Sequence, residues 1–194
     1  MHGSIFILLK RFIEGQYDHS TWLKLLESSA ISHGSYQMHE VYPDEEMLAL
    51  TKSATKLTGL SETDLHERFG EYLVPDLLLV YKKYIRPEWR TMDMLEYTES
   101  AMHRAVRQEN EKVTPPVLHV NRVNPNLIII DYFSNRKMGG LAVGIIKGIA
   151  RYYSESDQIK ITPTSALNVE RVQIRVEKID PQEEKIVSGT PVSA

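Results

Sequence analysis

Residues 126–138, NLIIIDYFSNRKM, change from aliphatic to polar side chains within one short stretch. The aliphatic run suits a buried strand, and three polar side chains then follow at every second position: Tyr132, Ser134 and Arg136. Side chains two apart in an extended segment point to the same side. The stretch therefore predicts a buried strand whose end presents two hydroxyls and a guanidinium to one common partner.

Similar short segments surround this strand. VLHVNR, at 117–122, has strand character and is joined to it by a turn at Asn124 and Pro125. QIKITPT and VERVQIRVEKI, at 158–164 and 169–179, alternate like two more strands. Before these two segments, GGLAVGIIKGIARYY at 139–153 is typical of an apolar helix whose small residues permit close packing. We expect a four-stranded antiparallel sheet with this helix packed on it.

The first part of the chain has helical rather than strand-like spacing. One apolar stripe is formed by Ile5, Leu8, Leu9, Phe12 and Ile13. Ser20 is predicted to cap a second helix, and Asp44 and Gly59 to bound a third. The region up to about residue 60 is therefore expected to be helical.

Two more helices are expected before the sheet. Ser61 and Asp64 form a capping pattern at the start of the first. Pro75 and Pro87 are expected to break the segment that follows. The second is predicted as one long helix from about Thr91 to Asn110.

The order of these elements predicts an α+β fold: an N-terminal helical part, then a four-stranded antiparallel sheet with a packed helix. We expect a single domain over residues 1–180. Within it, a helical subdomain spans about 1–60 and a sheet-containing subdomain about 61–180. Residues 181–194 are polar and are expected to form a flexible tail.

Composition excludes several functional classes. The net charge of −3 over 194 residues gives no support for a nucleic-acid partner. The absence of cysteine excludes disulfides, thiolate nucleophiles and cysteine-based zinc sites. No run approaches about 20 apolar residues, so no membrane span is expected. The first residues read as an amphipathic helix rather than a signal peptide, and the expected location is the cytoplasm.

The polar trio of residues 132–136 suits a ligand that carries carboxylates. An arginine side chain binds a carboxylate with two parallel hydrogen bonds, and tyrosine and serine hydroxyls add further donors. A ligand with two carboxylates, such as haem with its propionates, would use all three groups. The same spacing also fits a polar strand end in which Arg136 is simply solvated.

His103 is the second candidate, because its helix neighbours are small or apolar. A neutral imidazole in such surroundings can ligate a metal, although a packed or surface histidine fits the same pattern. No second histidine lies at a metal-binding spacing from it, so a protein-only zinc site is poorly supported. A lone axial histidine is what iron already held by a porphyrin needs. Pro115 and Pro116 stop the helix and could also press on a flat ligand.

Taken together, these residues resemble the haem nitric oxide/oxygen binding (H-NOX) family, the bacterial relatives of the sensor domain of soluble guanylate cyclase. The resemblance spans nearly the whole chain, from MHGSIF to the last strand. FGEYLV, the His103 helix, the proline pair, YFSNR and GIIKGIA occur in the family's order and at its distances.

The resemblance implies haem b (iron protoporphyrin IX) as the cofactor, held between the helical part and the sheet. His103 corresponds to the proximal iron ligand, and Pro116 to the proline that packs on the porphyrin. The residues that correspond to the propionate clamp are Tyr132, Ser134 and Arg136. Ile5 corresponds to an apolar distal residue that pushes on the ring, and the others expected to line the distal pocket are Leu9, Leu73 and Leu77.

One departure from the family pattern concerns the choice of gas. Family members that hold dioxygen have a distal tyrosine about nine residues after the motif tyrosine, and Leu141 occupies that position here. The outer oxygen of bound O₂ needs a hydrogen-bond donor, whereas NO and CO need it far less. Loss of such a bond costs about 1–3 kcal/mol, or about one to two decades in affinity. We expect NO and CO to bind and O₂ to be excluded, unless Tyr72 or another donor moves in.

The resemblance implies a gas sensor and not an enzyme. Binding of NO is expected to weaken the bond to His103 and to shift its helix, which a separate partner would read, either a histidine kinase or a cyclic-di-GMP enzyme. Two alternatives stay open. One is a haem enzyme with peroxidase-like activity, which would need distal acid–base groups. The other is a haem-free module that binds some other anion.

Overall fold

The computed structural model describes residues 1–109 and 113–180, so the predicted tail at 181–194 lies outside the described residues. The helices are α1 Gly3–Gln16, α2 His19–Ser28, α3 Asp44–Thr58, α4 Glu62–Val80, α5 Thr91–Tyr97, α6 Arg104–Glu109 and α7 Gly139–Tyr152, with a 3₁₀ turn at Lys82–Tyr84 and a π-helical segment at Thr98–His103. The strands are β1 Val117–Asn124, β2 Leu127–Phe133, β3 Ile159–Pro163 and β4 Arg171–Lys178.

The four strands form one antiparallel sheet in the order β1-β2-β4-β3. Along β2, Ile128, Ile130 and Tyr132 are buried while the residues between them are only half-buried. The buried face packs against the apolar side of α7, which includes Val143 and Ile146. The α+β prediction, with four antiparallel strands and one helix on the sheet, is confirmed.

Two groups of buried apolar residues form the core. One lies between the sheet, α5 and α7, and the other between α1, α2, α3 and the first part of α4. Helix α4 contributes to both, with Phe69 and Leu73 in the N-terminal group and Val74 and Leu78 in the group at the sheet. The division into subdomains near residue 60 stays a prediction, and α4 connects the two groups physically.

The N-cap of the second helix lies two residues before the predicted position. Asp18, rather than Ser20, is its N-cap, because an Asp18 carboxylate oxygen accepts from the backbone N–H of Thr21 at 2.6 Å. Ser20 instead donates its hydroxyl to the same carboxylate. A carboxylate also interacts better than a hydroxyl with the positive end of the helix dipole. The capping predicted for Ser61 is present, with Asp64 N–H donating to the Ser61 hydroxyl at 3.1 Å.

Pro75 does not break its helix, contrary to the expectation, and α4 continues through it to Val80. Tertiary packing outweighs the lost hydrogen bond, since α4 and α7 are in backbone contact. A Cβ atom at Gly144 would lie 2.0 Å from the Glu67 carbonyl oxygen, so only glycine permits this approach. Pro87 does lie outside the helices, as predicted.

The predicted helix from Thr91 to Asn110 is not continuous. A π-helical segment separates α5 from α6, and Asn110 lies outside the described residues. In this segment the backbone N–H of Arg104 donates to the carbonyl of Glu99, five residues earlier. The Thr98 hydroxyl also donates to the Met94 carbonyl at 2.6 Å, which competes with the regular helical bonds. Wide turns of this kind often occur at functional sites, and His103 is the last residue of this one.

Candidate haem pocket

A cavity of about 640 Å³ lies between the N-terminal helices and the sheet. This volume falls within the range of about 300–1,000 Å³ that is usual for small-molecule and cofactor sites. Most of the lining is aliphatic, with contributions from α1, α4, α7 and the buried face of the sheet. Such a cavity suits a large, mainly apolar ligand.

His103 lines this cavity and is held by a carboxylate on its own segment. Its Nδ1 lies 3.0 Å from Oε2 of Glu99, which also accepts from the backbone N–H of Leu118 at 3.1 Å. The guanidinium of Arg107 donates to the other oxygen of Glu99. Burial alone would raise the pKa of Glu99, but the hydrogen bonds from His103, Arg107 and Leu118 lower it to about 2. The bond occupies Nδ1, so Nε2 is the ring nitrogen left for a metal.

The polar trio lies at the edge of the cavity, where β2 leads into α7. Tyr132 is buried and lines the main cavity, and burial raises the pKa of its hydroxyl. Ser134 lines an adjoining polar cavity of about 300 Å³, and Arg136 lines both. The guanidinium Nε of Arg136 lies 2.8 Å from an Asp44 carboxylate oxygen, and NH1 donates to the Thr114 carbonyl at 2.9 Å. The three side chains of the predicted clamp thus lie at the same edge of the cavity, and Arg136 is paired with Asp44 at the start of α3.

Most of the predicted apolar residues also lie at the cavity. Those that line it are Ile5, Leu73, Leu77, Leu141 and Pro116. Leu9 is 4 % exposed and packs in the N-terminal core instead, away from the lining. It points the other way because the apolar stripe of α1 is wider than the side that faces the cavity. Tyr72, named as a possible moving donor, packs against Phe12 and is not in the lining.

The structure adds polar residues that sequence reasoning missed. His2, Arg11, His39 and Asp76 all line the cavity. His2 bonds the Ser4 hydroxyl through Nδ1 at 2.7 Å, and burial lowers its pKa. Arg11 and Asp76 form an ion pair at 3.7 Å. No local pattern marks these residues, because they meet only when α1, α4 and the loop before α3 come together.

The side chains at the cavity suit a metal ion that is already bound within a larger organic ligand. Among residues 1–109 and 113–180, no group of three histidine, cysteine or acidic side chains could hold a metal ion alone. The imidazole of His103, a mainly apolar cavity and a guanidinium with two hydroxyls at its edge match the axial ligand, the macrocycle and the carboxylates of haem. Within the same residues, no helix is long and apolar enough to cross a membrane.

This fold and cavity are suited to a domain that encloses haem. The family model for haem-NO-binding domains (HNOB) matches residues 2–162. The chain belongs to this family, also called H-NOX, whose domains bind haem and gaseous ligands and act as sensors rather than enzymes.

The similar structures are bacterial H-NOX proteins. One is an H-NOX protein from S. oneidensis in the Fe(II)NO ligation state, which has 19 % identity and a TM-score of 0.84 over 93 % of this chain and 100 % of that chain. Another is the unliganded Fe(II) H-NOX protein from K. algicida, with 22 % identity and a TM-score of 0.83 over 93 % and 97 % of the two chains. These identities support the fold.

A curated relative comes from Drosophila melanogaster. Soluble guanylate cyclase 89Da is 24 % identical over 156 residues, which make up 79 % of this chain and 23 % of that protein. The chain therefore spans about a quarter of the length of this relative.

Proposed function

We propose that this chain binds haem b in the cavity of about 640 Å³ and senses NO and CO, while it excludes O₂. The observation that supports this most directly is His103, which lines the cavity and has its Nδ1 held by Glu99, so that Nε2 is left as the proposed iron ligand. Ferrous haem, when bound, supplies the iron that binds the diatomic gas.

The residues proposed to hold the cofactor have distinct tasks. His103 supplies the axial nitrogen, and Pro116 packs against the macrocycle. The groups proposed to hold the propionates are Tyr132, Ser134 and Arg136. Arg136 pairs with Asp44 at the start of α3, and its guanidinium would bind a propionate beside that pair.

Selection against O₂ is proposed to come from the aliphatic wall. The side chains of Ile5, Leu73, Leu77 and Leu141 offer no hydrogen-bond donor to a bound gas. Of the polar residues that line the cavity, His2 bonds the Ser4 hydroxyl through Nδ1, and Arg11 pairs with Asp76. O₂ would therefore lack the hydrogen bond that it needs more than NO and CO do.

The signal is proposed to travel through the segment that carries His103. The imidazole is attached to the last residue of the π-helical segment, so a displacement of the ring moves the junction between α5 and α6. The partner is proposed to be a separate signalling protein, either a histidine kinase or a cyclic-di-GMP enzyme. The similarity to soluble guanylate cyclase 89Da supports a partner enzyme that makes or cleaves a signalling nucleotide. The cytoplasmic location stays a prediction.

The visible spectrum of the purified, haem-reconstituted protein tests this proposal. We expect a ferrous Soret band that shifts with NO and with CO and stays in place in air-saturated buffer. A shift of the same kind with O₂ would overturn the proposed selectivity. Absence of a Soret band from protein-bound haem would favour the anion-binding alternative. Peroxide turnover well above that of free haem would favour the peroxidase-like alternative.

A further inference from the structure

The carboxylate of Glu99 receives hydrogen bonds from three different elements. Oε2 accepts from Nδ1 of His103 at 3.0 Å and from the backbone N–H of Leu118 at 3.1 Å. Oε1 accepts from the guanidinium of Arg107. These donors belong to the π-helical segment, β1 and α6, so one carboxylate joins three elements around the imidazole.

We propose that Glu99 is a positioning residue for His103, which keeps the ring proton on Nδ1 and turns the Nε2 lone pair toward the cavity. In metal sites, a carboxylate on the second ring nitrogen of a histidine fixes the tautomer and orientation of the ring and raises its basicity. The inference rests on the proposed function for the identity of the metal group. The orientation of the ring does not depend on that identity.

The bond from Leu118 distinguishes this arrangement from an ordinary surface ion pair. A pair with Arg107 alone would contribute little, because both side chains are partly exposed and can rearrange. β1 is an edge strand, and the backbone N–H of Leu118 is directed at Glu99 rather than at another strand. A backbone donor cannot change rotamer, so the sheet determines where the carboxylate lies and therefore where the ring points.

The carboxylate makes two contributions that can be separated. As an acceptor it selects the tautomer, and as an anion 3.0 Å from the ring it makes Nε2 a stronger electron donor. Glu99→Gln keeps an acceptor oxygen and removes the charge. Glu99→Ala removes both. Glu96→Gln is the matched control, since Glu96 lies one turn earlier and pairs with Arg122 of β1 instead of with the histidine.

The first measurement uses the haem-free protein. Long-range proton–nitrogen correlation spectra of ¹⁵N-histidine-labelled protein at pH 8, where an ordinary imidazole is neutral, report the tautomer of His103. We expect the Nδ1–H form in the parent, in Glu99→Gln and in Glu96→Gln. We expect the Nε2–H form to become populated in Glu99→Ala. The Nδ1–H form alone in Glu99→Ala would overturn the tautomer part of the proposal.

The second measurement uses resonance Raman spectra of the ferrous, haem-loaded proteins. The iron–histidine stretching band should move to lower frequency in Glu99→Gln, move further in Glu99→Ala and stay in place in Glu96→Gln. If Glu99→Ala does not fold, the near-isosteric Glu99→Gln variant still tests the charge. An unchanged iron–histidine band in Glu99→Gln would overturn the proposed effect of the Glu99 charge on Nε2. If the parent binds no haem, the proposed function fails, while the haem-free spectra still decide the role of Glu99.

Discussion

The two sides of the cavity are built in different ways. The side formed by α1, α4 and α7 is mainly aliphatic, and its aliphatic residues follow from helical spacing within each helix. The side that carries His103 depends on hydrogen bonds between residues far apart in the chain, such as Glu99 with Leu118. In the proposed function, the aliphatic side selects against O₂ and the hydrogen-bonded side holds the haem. Substitutions on one side at a time separate these two contributions.

The largest effect is expected from removing the imidazole. His103→Gly should abolish axial ligation of haem by the protein, because it removes the ring that Glu99 holds with Nε2 free for the iron. Added imidazole should restore a parent-like ferrous spectrum, since it can enter the space that the side chain leaves. Absorption titrations with and without imidazole measure this. A parent-like spectrum in the variant without imidazole would contradict the assignment.

The stability of the folded protein should depend on pH through a buried histidine of α4. His66 is 4 % exposed where α4 meets α7, its Nε2 has no hydrogen-bond partner, and burial lowers its pKa to about 4 from 6.5. Between these values the unfolded chain binds a proton that the folded protein does not. Proton binding by His66 in the unfolded chain therefore lowers the free energy of unfolding as pH falls below about 6.5, by up to about 3 kcal/mol at pH 4.

Urea unfolding from pH 7 to pH 4 tests this contribution. His66→Leu should remove that part of the pH dependence. The control His19→Gln, at an exposed position, should keep it. An identical slope in His66→Leu and in the parent would show that the buried imidazole is not responsible.

A donor placed on the aliphatic side should change gas selection. Leu141→Tyr is expected to raise O₂ affinity by about one to two decades, which corresponds to a hydrogen bond of about 1–3 kcal/mol. Leu141→Phe fills similar space without a hydroxyl and should leave O₂ affinity low. Equilibrium O₂ titrations of the ferrous proteins distinguish the two. Equal gains in both variants would attribute the change to volume instead of to hydrogen bonding.

A smaller effect is expected at the edge of the cavity. Arg136→Gln should weaken haem retention about tenfold, or about 1.4 kcal/mol, because one charged contact to a propionate is lost. Lys137→Gln is the control, since this neighbouring cation is exposed and lies 3.8 Å from Glu170. Transfer of haem to excess apomyoglobin measures retention. Equal transfer rates for the two variants would argue against a role of Arg136 in the clamp.

The parts that the sequence predicts are those with a local cause. The strand β2 follows from the aliphatic run at 127–130, and the position of Tyr132, Ser134 and Arg136 at the cavity edge follows from their period of two. The π-helical segment could not be predicted, because nothing in residues 98–103 alone disfavours a regular α-helix. The continuity of α4 through Pro75 and the pairing of Arg136 with Asp44 likewise depend on contacts across the fold.

A crystal structure of the ferrous, haem-loaded protein tests the central claim most directly. We predict the macrocycle inside the cavity, Nε2 of His103 bound to iron, and the propionates at Tyr132, Ser134 and Arg136. A structure in which His103 points into solvent, or in which haem lies outside this cavity, would contradict the account.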